Sequence, residues 1–280
     1  MIQELFSIGS LSISPFGLSL VAALFAAYWQ FARGLRATGL GDEEDASAIT
    51  FACGFFGILG GKIYYAILVG DWGMILSRAG IVWYGCLFGG FLAFLVATRR
   101  RQLPYARTFD AAGPALALGY GVGRIGCFLV GDDYGIPTNL PWGMQFKVGL
   151  PPTTAGNLRH QFGVEVAPEI PDSAFVAVHP TQLYETLAGF AIFGFLLWFQ
   201  KRRDASGHSL LPGNLFRLSL ALLVIERFFV EFIRAKDDRF FSIPSVGTLT
   251  LAQVISVVIL VLIAITWRRR ALDSASGAAA

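Results

Sequence analysis

The sequence predicts an all-α polytopic membrane protein: seven transmembrane helices, N-terminus outside and C-terminus cytoplasmic, with a small cap on the outer side. Three observations predict it. The composition is 55% hydrophobic and only 15% charged, with 25 Phe in 280 residues, whereas a soluble domain carries about 25% charged residues. Seven apolar stretches approach the roughly 20 residues that cross a bilayer. Clusters of Arg and Lys recur after every second stretch, on one side of the membrane.

The stretches run 13–33, 46–69, 81–98, 108–130, 180–200, 213–233 and 247–267. Arg33 and Arg36 follow the first. Arg99, Arg100 and Arg101, with Arg107 beyond, follow the third. Lys201, Arg202 and Arg203 follow the fifth, and Arg268, Arg269 and Arg270 the seventh. The other side holds only scattered Arg78, Lys147, Arg159, Arg234, Lys236 and Arg239. Positive charge stays in the cytoplasm, which sets the orientation. The first ten residues lack a basic region, so no cleaved leader is expected. Residues 1–131 thus hold helices one to four, 132–178 a periplasmic cap, 179–270 helices five to seven, and 271–280 an Ala/Ser/Gly tail expected to lack order.

The 132–178 stretch is rich in Pro, Gly, Asp and Asn. A connection of that length is functional or disordered. Its aromatics, Tyr134, Trp142, Phe146, Phe162 and Phe175, favour a folded cap, and Trp142–Phe146 reads as a short strand. Gly70–Gly80, with Trp72 and Met74, suits a segment lying at the interface.

The chain is organised around Gly119–Gly135, a helix end crowded with glycine that carries Arg124 and runs into Asp132 and Asp133. Stranding an arginine in hydrocarbon costs about 3 kcal/mol or more, so Arg124 needs an anionic partner or a wet cavity. With the orientation set, Arg124 lies about 21 Å along its helix from Asp110, in the outer half. Lys62, Tyr84, Tyr184, Glu185, Glu226, Arg227, Glu231 and Arg234 also fall in outer halves, and a shared depth is not what scattered charges show. Arg227, Glu231 and Arg234 recur at helical spacing, with Glu226 turned about 100° away. Guanidinium groups opening to the outer leaflet suit a phosphate, which they bind in bidentate fashion.

Blander readings exist for each. Arg227–Glu231 and Glu231–Arg234 pairs could serve helix packing alone. Lys62 and Arg78 could snorkel to headgroups. Asp110 could neutralise the cytoplasmic end of helix four near Arg107. Gly57, Gly60, Gly61, Gly85, Gly89 and Gly90 serve close packing. Cys53, Cys86 and Cys127 lack CxxC spacing and read as apolar fillers. His160, His179 and His208 are scattered, so no metal cluster is expected. The residues themselves reach a phosphate or phospholipid site and leave both an enzyme and a lipid- or anion-binding transporter or scaffold open.

Three motifs then carry a resemblance. They are Gly123-Arg124-Ile125-Gly126-Cys127-Phe128 with Gly131 and Tyr134-Gly135; His179-Pro180-Thr181-Gln182-Leu183-Tyr184-Glu185; and Arg227-Phe228-Phe229-Val230-Glu231-Phe232-Ile233-Arg234. In this order, with the outer insert between the first two, the chain resembles the prolipoprotein diacylglyceryl transferase family over nearly its whole length. The segments 60–65 and 84–90 fit weaker family patterns. The resemblance implies transfer of a diacylglyceryl group from phosphatidylglycerol to the lipobox cysteine thiol in a preprolipoprotein signal peptide, in the bacterial inner membrane with the site facing the periplasm. It implies Arg124 and Arg227 as the groups binding phosphate and stabilising the leaving group, with Glu231 orienting Arg227 or Arg234. Arg234, Cys127, Tyr184, Glu185 and Lys62 are expected along the substrate site. Membrane lipids are the expected surroundings, with no cofactor, no metal and no nucleic-acid partner. Tyr84 stands where the family often has His, Cys127 where it often has Asn, and Phe16 and Leu223 where tyrosines are common. The base for the thiol is therefore open between Tyr84, a poor base at an ordinary pKa near 10, His179, and a thiolate held by the arginines alone.

Overall fold

A computed structural model describes residues 5–8, 11–77, 80–206, 210–236, 239–243 and 247–277. Arg78 and His208 lie outside them. Each of the seven apolar stretches forms a helix: α1 (Pro15–Ala37), α2 (Glu43–Val69), α3 (Trp83–Arg100), α4 (Tyr105–Val130), α6 (Thr181–Ala205), α7 (Asn214–Val230) and α8 (Leu251–Gly277). An additional helix, α5 (Ala155–Phe162), lies in the insert. Two hairpins depart from the all-α expectation, β1 (Phe6–Ile8) with β2 (Leu11–Ile13) and β3 (Arg239–Ile243) with β4 (Gly247–Thr250). β4 occupies the first residues assigned to the seventh span, so that helix begins at Leu251, and it continues to Gly277.

Among the described residues, four helices are long and apolar enough to cross a membrane: α1, α2, α4 and α6. α3 has 18 residues and α7 has 17, and α8 offers a shorter apolar segment, Leu251–Trp267. At 1.5 Å per residue α7 reaches about 26 Å, just under a hydrocarbon thickness. The chain is polytopic, and four spans rather than seven meet the length and composition test.

The chain forms two compact units. One comprises Leu24–Leu116 and Leu210–Phe216. Its core gathers Phe31, Leu35, Ile49, Phe94 and Ala111. α2 starts at a capping box, Asp42 with Asp45, and stops at Gly70, whose φ of 75° is left-handed. α2 and α3 meet backbone to backbone: a Cβ on Gly60 would stand 2.4 Å from the Gly85 carbonyl oxygen. Lys62 donates from Nζ to the Ser77 carbonyl at 2.7 Å, and Tyr84 lines an apolar groove between the two helices. Asp110, near Arg107 at the start of α4, also reaches a second helix. Its carboxylate accepts from the backbone N–H of Gly213 at 2.6 Å and of Phe216 at 2.9 Å, the donors that the start of α7 leaves free.

The other unit comprises Met1–Ala23, Ala117–Ser209 and Arg217–Ala280. Here α4 and α6 cross at glycine on glycine: a Cβ on Gly189 would meet the Gly121 Cα at 2.9 Å. The insert folds over a core of Tyr134, Phe146, Leu158, Val164 and Val178, with the Tyr134 and Phe146 rings stacked at 5.7 Å. Met144 makes a single bridge to Val178 where a strand over 142–146 was expected. Trp142 and Phe175 stay exposed at 52% and 39%.

Asp110→Ala removes both cap bonds from α7 and should cost about 1–2 kcal/mol of stability, read from thermal unfolding of the detergent-solubilised protein; an unchanged midpoint would show that α7 does not need the cap.

Candidate functional site

Three segments meet at one glycine. Gly135 donates its N–H to the His179 carbonyl at 2.8 Å and pairs as a β-bridge with Arg234; Ile136 donates to Ile233 at 2.9 Å. A Cβ on Gly135 would lie 2.5 Å from the Ile233 carbonyl oxygen and 2.7 Å from the His179 Cβ. Only glycine lets the turn after α4, the lead into α6 and the segment after α7 come this close.

The turn itself is built to aim a carboxylate. α4 ends at Gly131, with a left-handed φ of 71°, and Asp133 is also left-handed at 56°. Thr181 Oγ1 donates to the Asp133 carbonyl at 2.7 Å, and Gln182 Nε2 donates to the Asp132 carbonyl. So held, Asp133 Oδ2 turns back to Arg124 at 2.9 Å, and its other oxygen pairs with Arg234.

The α4–α6 crossing does the rest. Arg124 lies about one turn beyond Gly121, and Glu185 about one turn before Gly189. Glu185 Oε1 accepts from Arg124 at 3.1 Å and from Arg227 at 3.2 Å, with Arg234 at 3.6 Å. Arg227 also pairs with Glu231, four residues on. The Glu185 and Glu231 side chains are 0% exposed. Among the arginines, Arg124 and Arg227 keep 16% and 21% exposure, whereas Arg234 is sealed at 2%. Such burial is tolerable only because each carboxylate faces guanidinium.

Arg124, Glu185, Arg227, Glu231 and Arg234 are thus brought together. Cys127 joins them, its Sγ 3.6 Å from Arg124. One expectation changes: α7 ends at Val230, so Arg234 does not extend a helical face with Arg227 and Glu231 but reaches Asp133 and Glu185 from the segment beyond. His179 and Tyr184 form a separate pair at 3.2 Å, to which Trp142 Nε1 donates at 2.7 Å on the Tyr184 hydroxyl. Burial draws the His179 imidazole below its ordinary value. Lys62 and Tyr84 belong to the other unit.

Sequence reasoning missed three members. Asp133 lies nine residues past Arg124, one beyond Asp132, yet its left-handed turn is what makes it the partner. Tyr120 donates toward Glu185 and stands beside Glu226, and Arg124 lies over its ring, 5.4 Å from the centroid. Glu226, read as turned away, is drawn in by Tyr120 rather than by a cation. Sequence reasoning also missed a grouping of metal-ligand type among the described residues. Cys127 Sγ and carboxylate oxygens of Asp132 and Asp133 lie within 4.8 Å of one another. A cation there would have to displace two guanidiniums from Asp133.

The two aspartates titrate in opposite senses. Burial resists charging Asp133, but Arg234 and Arg124 overcome it and hold its carboxyl well below the usual range. Burial, and then the Asp133 charge, push Asp132 up to about 6.

The family model described as prolipoprotein diacylglyceryl transferase matches residues 3–268. Among curated proteins, the chain is similar to a phosphatidylglycerol–prolipoprotein diacylglyceryl transferase of Clostridium tetani, 30% identical over 259 residues, covering 90% of this chain and 91% of the relative. It is similar to a second such protein, of Clostridium perfringens, at 30% identity, covering 90% and 88%. A third, of Thermosynechococcus vestitus, is 27% identical, covering 91% and 87%.

Two outcomes follow from this geometry. Gly135→Ala forces the three segments apart and should abolish the folded protein or leave it inactive; a well-folded, active variant would contradict the convergence. Asp133 ionises more easily folded than unfolded. Its stabilisation is fully present above the ordinary carboxylate value of about 4 and is lost as pH falls below it. Unfolding midpoints measured against pH should show that acid loss in the wild type and a smaller one in Asp133→Asn. Asp132→Asn should instead relieve the destabilisation that builds up as pH rises from about 4 to about 6.

Proposed function

Because the chain belongs to the prolipoprotein diacylglyceryl transferase family, we propose that it moves the diacylglyceryl group of phosphatidylglycerol to the lipobox cysteine thiol of a preprolipoprotein. The product is a thioether, and glycerol phosphate leaves. The observation that carries this reading is the convergence of Arg124 and Arg227, from different helices, on one anionic oxygen of Glu185. A site that seats a carboxylate oxygen between two guanidiniums has the charge and spacing for a phosphodiester oxygen.

The chemistry asks for that. Sulfur attacks a glyceryl carbon as thiolate, and the departing phosphate gains charge as the C–O bond breaks. Fixed guanidiniums aimed at that charge stabilise the transition state without reorganising. Arg124 and Arg227, the two with exposure, serve as the phosphate grip. Glu231 orients Arg227. Arg234, sealed between Asp133 and Glu185, holds the carboxylates in place. Cys127 lines the seat beside Arg124. His179 and Tyr184, with Trp142, belong to the substrate's approach, and Lys62 and Tyr84 to lipid contacts of the other unit.

The membrane setting goes with this reading: seven spans in the bacterial inner membrane, C-terminus cytoplasmic, with Arg124 and Arg227 toward the periplasmic leaflet. The basic clusters Arg33/Arg36, Arg99–Arg101, Lys201–Arg203 and Arg268–Arg270, which fall toward the C-terminal ends of α1, α3, α6 and α8, support it, since the cytoplasmic side carries the excess of Arg and Lys. The cap over 132–178 then faces the periplasm, where the preprolipoprotein presents its cysteine.

The test is release of glycerol phosphate from phosphatidylglycerol vesicles supplied with a lipobox peptide. No release by the wild type would refute the transferase reading. Arg124→Ala and Arg227→Ala should each lower the rate about 100-fold or more. Arg124→Lys, which keeps the charge but loses the fork, should recover part of it; full activity in Arg124→Ala would remove that residue from the phosphate grip.

A further inference from the structure

The Tyr120 hydroxyl stands 3.2 Å from Oε1 of Glu185 and 3.0 Å from Oε2 of Glu226. A phenol owns one proton. It donates fully to one carboxyl only, and the bond to the other is completed when that acid is neutral and donates to the phenol oxygen in turn. The neighbours decide which. Glu185 Oε1 also faces Arg124 at 3.1 Å and Arg227 at 3.2 Å, with Arg234 at 3.6 Å, so it is the carboxyl whose negative charge is matched by cations. The other oxygen of Glu226, Oε1, is buried and makes no hydrogen bond among the described residues. The charge count agrees. Arg124, Arg227 and Arg234 are already matched by Asp133, Glu185 and Glu231. Among the described residues Glu226 itself makes no ion pair, and a buried anion without one is far costlier than the neutral acid. The groups facing Glu226 are Tyr120 and Arg124 on α4, Glu185 on α6 and Arg227 on its own helix.

We propose that Glu226 rests as a neutral carboxylic acid donating to the Tyr120 hydroxyl, and that its proton is the one delivered, through Tyr120, to the departing phosphate oxygen. This rests on the transferase reading. In the step, the S–C bond forms as the C–O bond breaks, and the C–O electron pair stays on the phosphate oxygen. The Tyr120 proton passes to that oxygen, and the Glu226 proton refills Tyr120. The proton released by the substrate thiol then restores Glu226, so that nothing is gained or lost over a turnover. Two carboxyls in one site, one ionised and one protonated, is the arrangement by which a single pocket holds both fixed charge and a transferable proton.

The experiment has two arms. In the first, infrared spectra of the full-length protein in lipid are compared at neutral pH for the wild type, Glu226→Gln and Tyr120→Phe. The wild-type minus Glu226→Gln difference should contain the C=O stretch of a protonated carboxylic acid, shifted in Tyr120→Phe. Its absence overturns the assignment, whether or not the protein transfers. In the second, glycerol phosphate release is measured for the same proteins. Glu226→Gln keeps the shape and a hydrogen-bond donor, so KM for phosphatidylglycerol should stay near wild type while kcat falls about 100-fold. A wild-type kcat in that variant overturns the proton's role. No transfer by the wild type overturns that role together with the transferase reading, and the infrared band still decides the resting state of Glu226.

Discussion

One buried carboxylate organises the described site. Glu185 is 0% exposed, and a single oxygen of it faces Arg124 from α4, Arg227 from α7 and Arg234 from the segment after α7. Neither side could be buried without the other. Removing one partner of a buried pair costs about 3–5 kcal/mol, because the remaining charge is stranded. The same attraction that allows burial also fixes where three chain segments stand. Position and charge are therefore one constraint here, not two.

That constraint reaches back into the backbone. Guanidinium and carboxylate meet only if α4 and α6 approach more closely than ordinary side chains permit. Gly121 and Gly189 supply that approach, and Gly135 supplies it for the turn and the two segments that flank it. The insert contributes by anchoring the turn. Tyr134, next to Asp133, is buried against Phe146 and Leu158, so the carboxylate that reaches Arg124 is mounted on a packed core rather than on a free loop.

The helices were legible because apolar length is a strong signal, and all seven stretches became helices. Their sufficiency as spans was not legible, because it depends on where each helix stops: α7 stops at Val230 and α8 starts only at Leu251. The charged core of the site was legible from Arg124, Arg227, Glu231 and Glu185, whose presence in apolar surroundings demands partners. What escaped was whatever depends on a turn or on a neutral partner. Asp133 needs a left-handed residue after a glycine cap, which no periodicity announces. Tyr120 reads as one more aromatic in a helix, and Glu226 points away from Arg227 when only its own helix is considered. The Asp110 cap escaped for a similar reason, since it joins residues 103 to 106 positions apart.

The resting site supplies its own anions, and this bears on how a phosphodiester enters it. Three guanidiniums face three carboxylates, so a ligand that takes hold of a guanidinium takes it from a carboxylate. The carboxylates are not equal. Glu185 and Glu231 are sealed at 0% exposure and cannot leave without stranding a charge, whereas Asp133 is 38% exposed and can turn to water. Under the transferase reading, Arg124 is the guanidinium that changes partner, because its second carboxylate is the exposed one. Arg234 keeps Asp133 nearby while that happens, being sealed and bound to both acids. Arg227 offers a fixed positive face throughout, because both of its partners are buried. Phosphate binding and release then cost the exchange of one partly exposed ion pair, not the disruption of the buried core that holds the segments together.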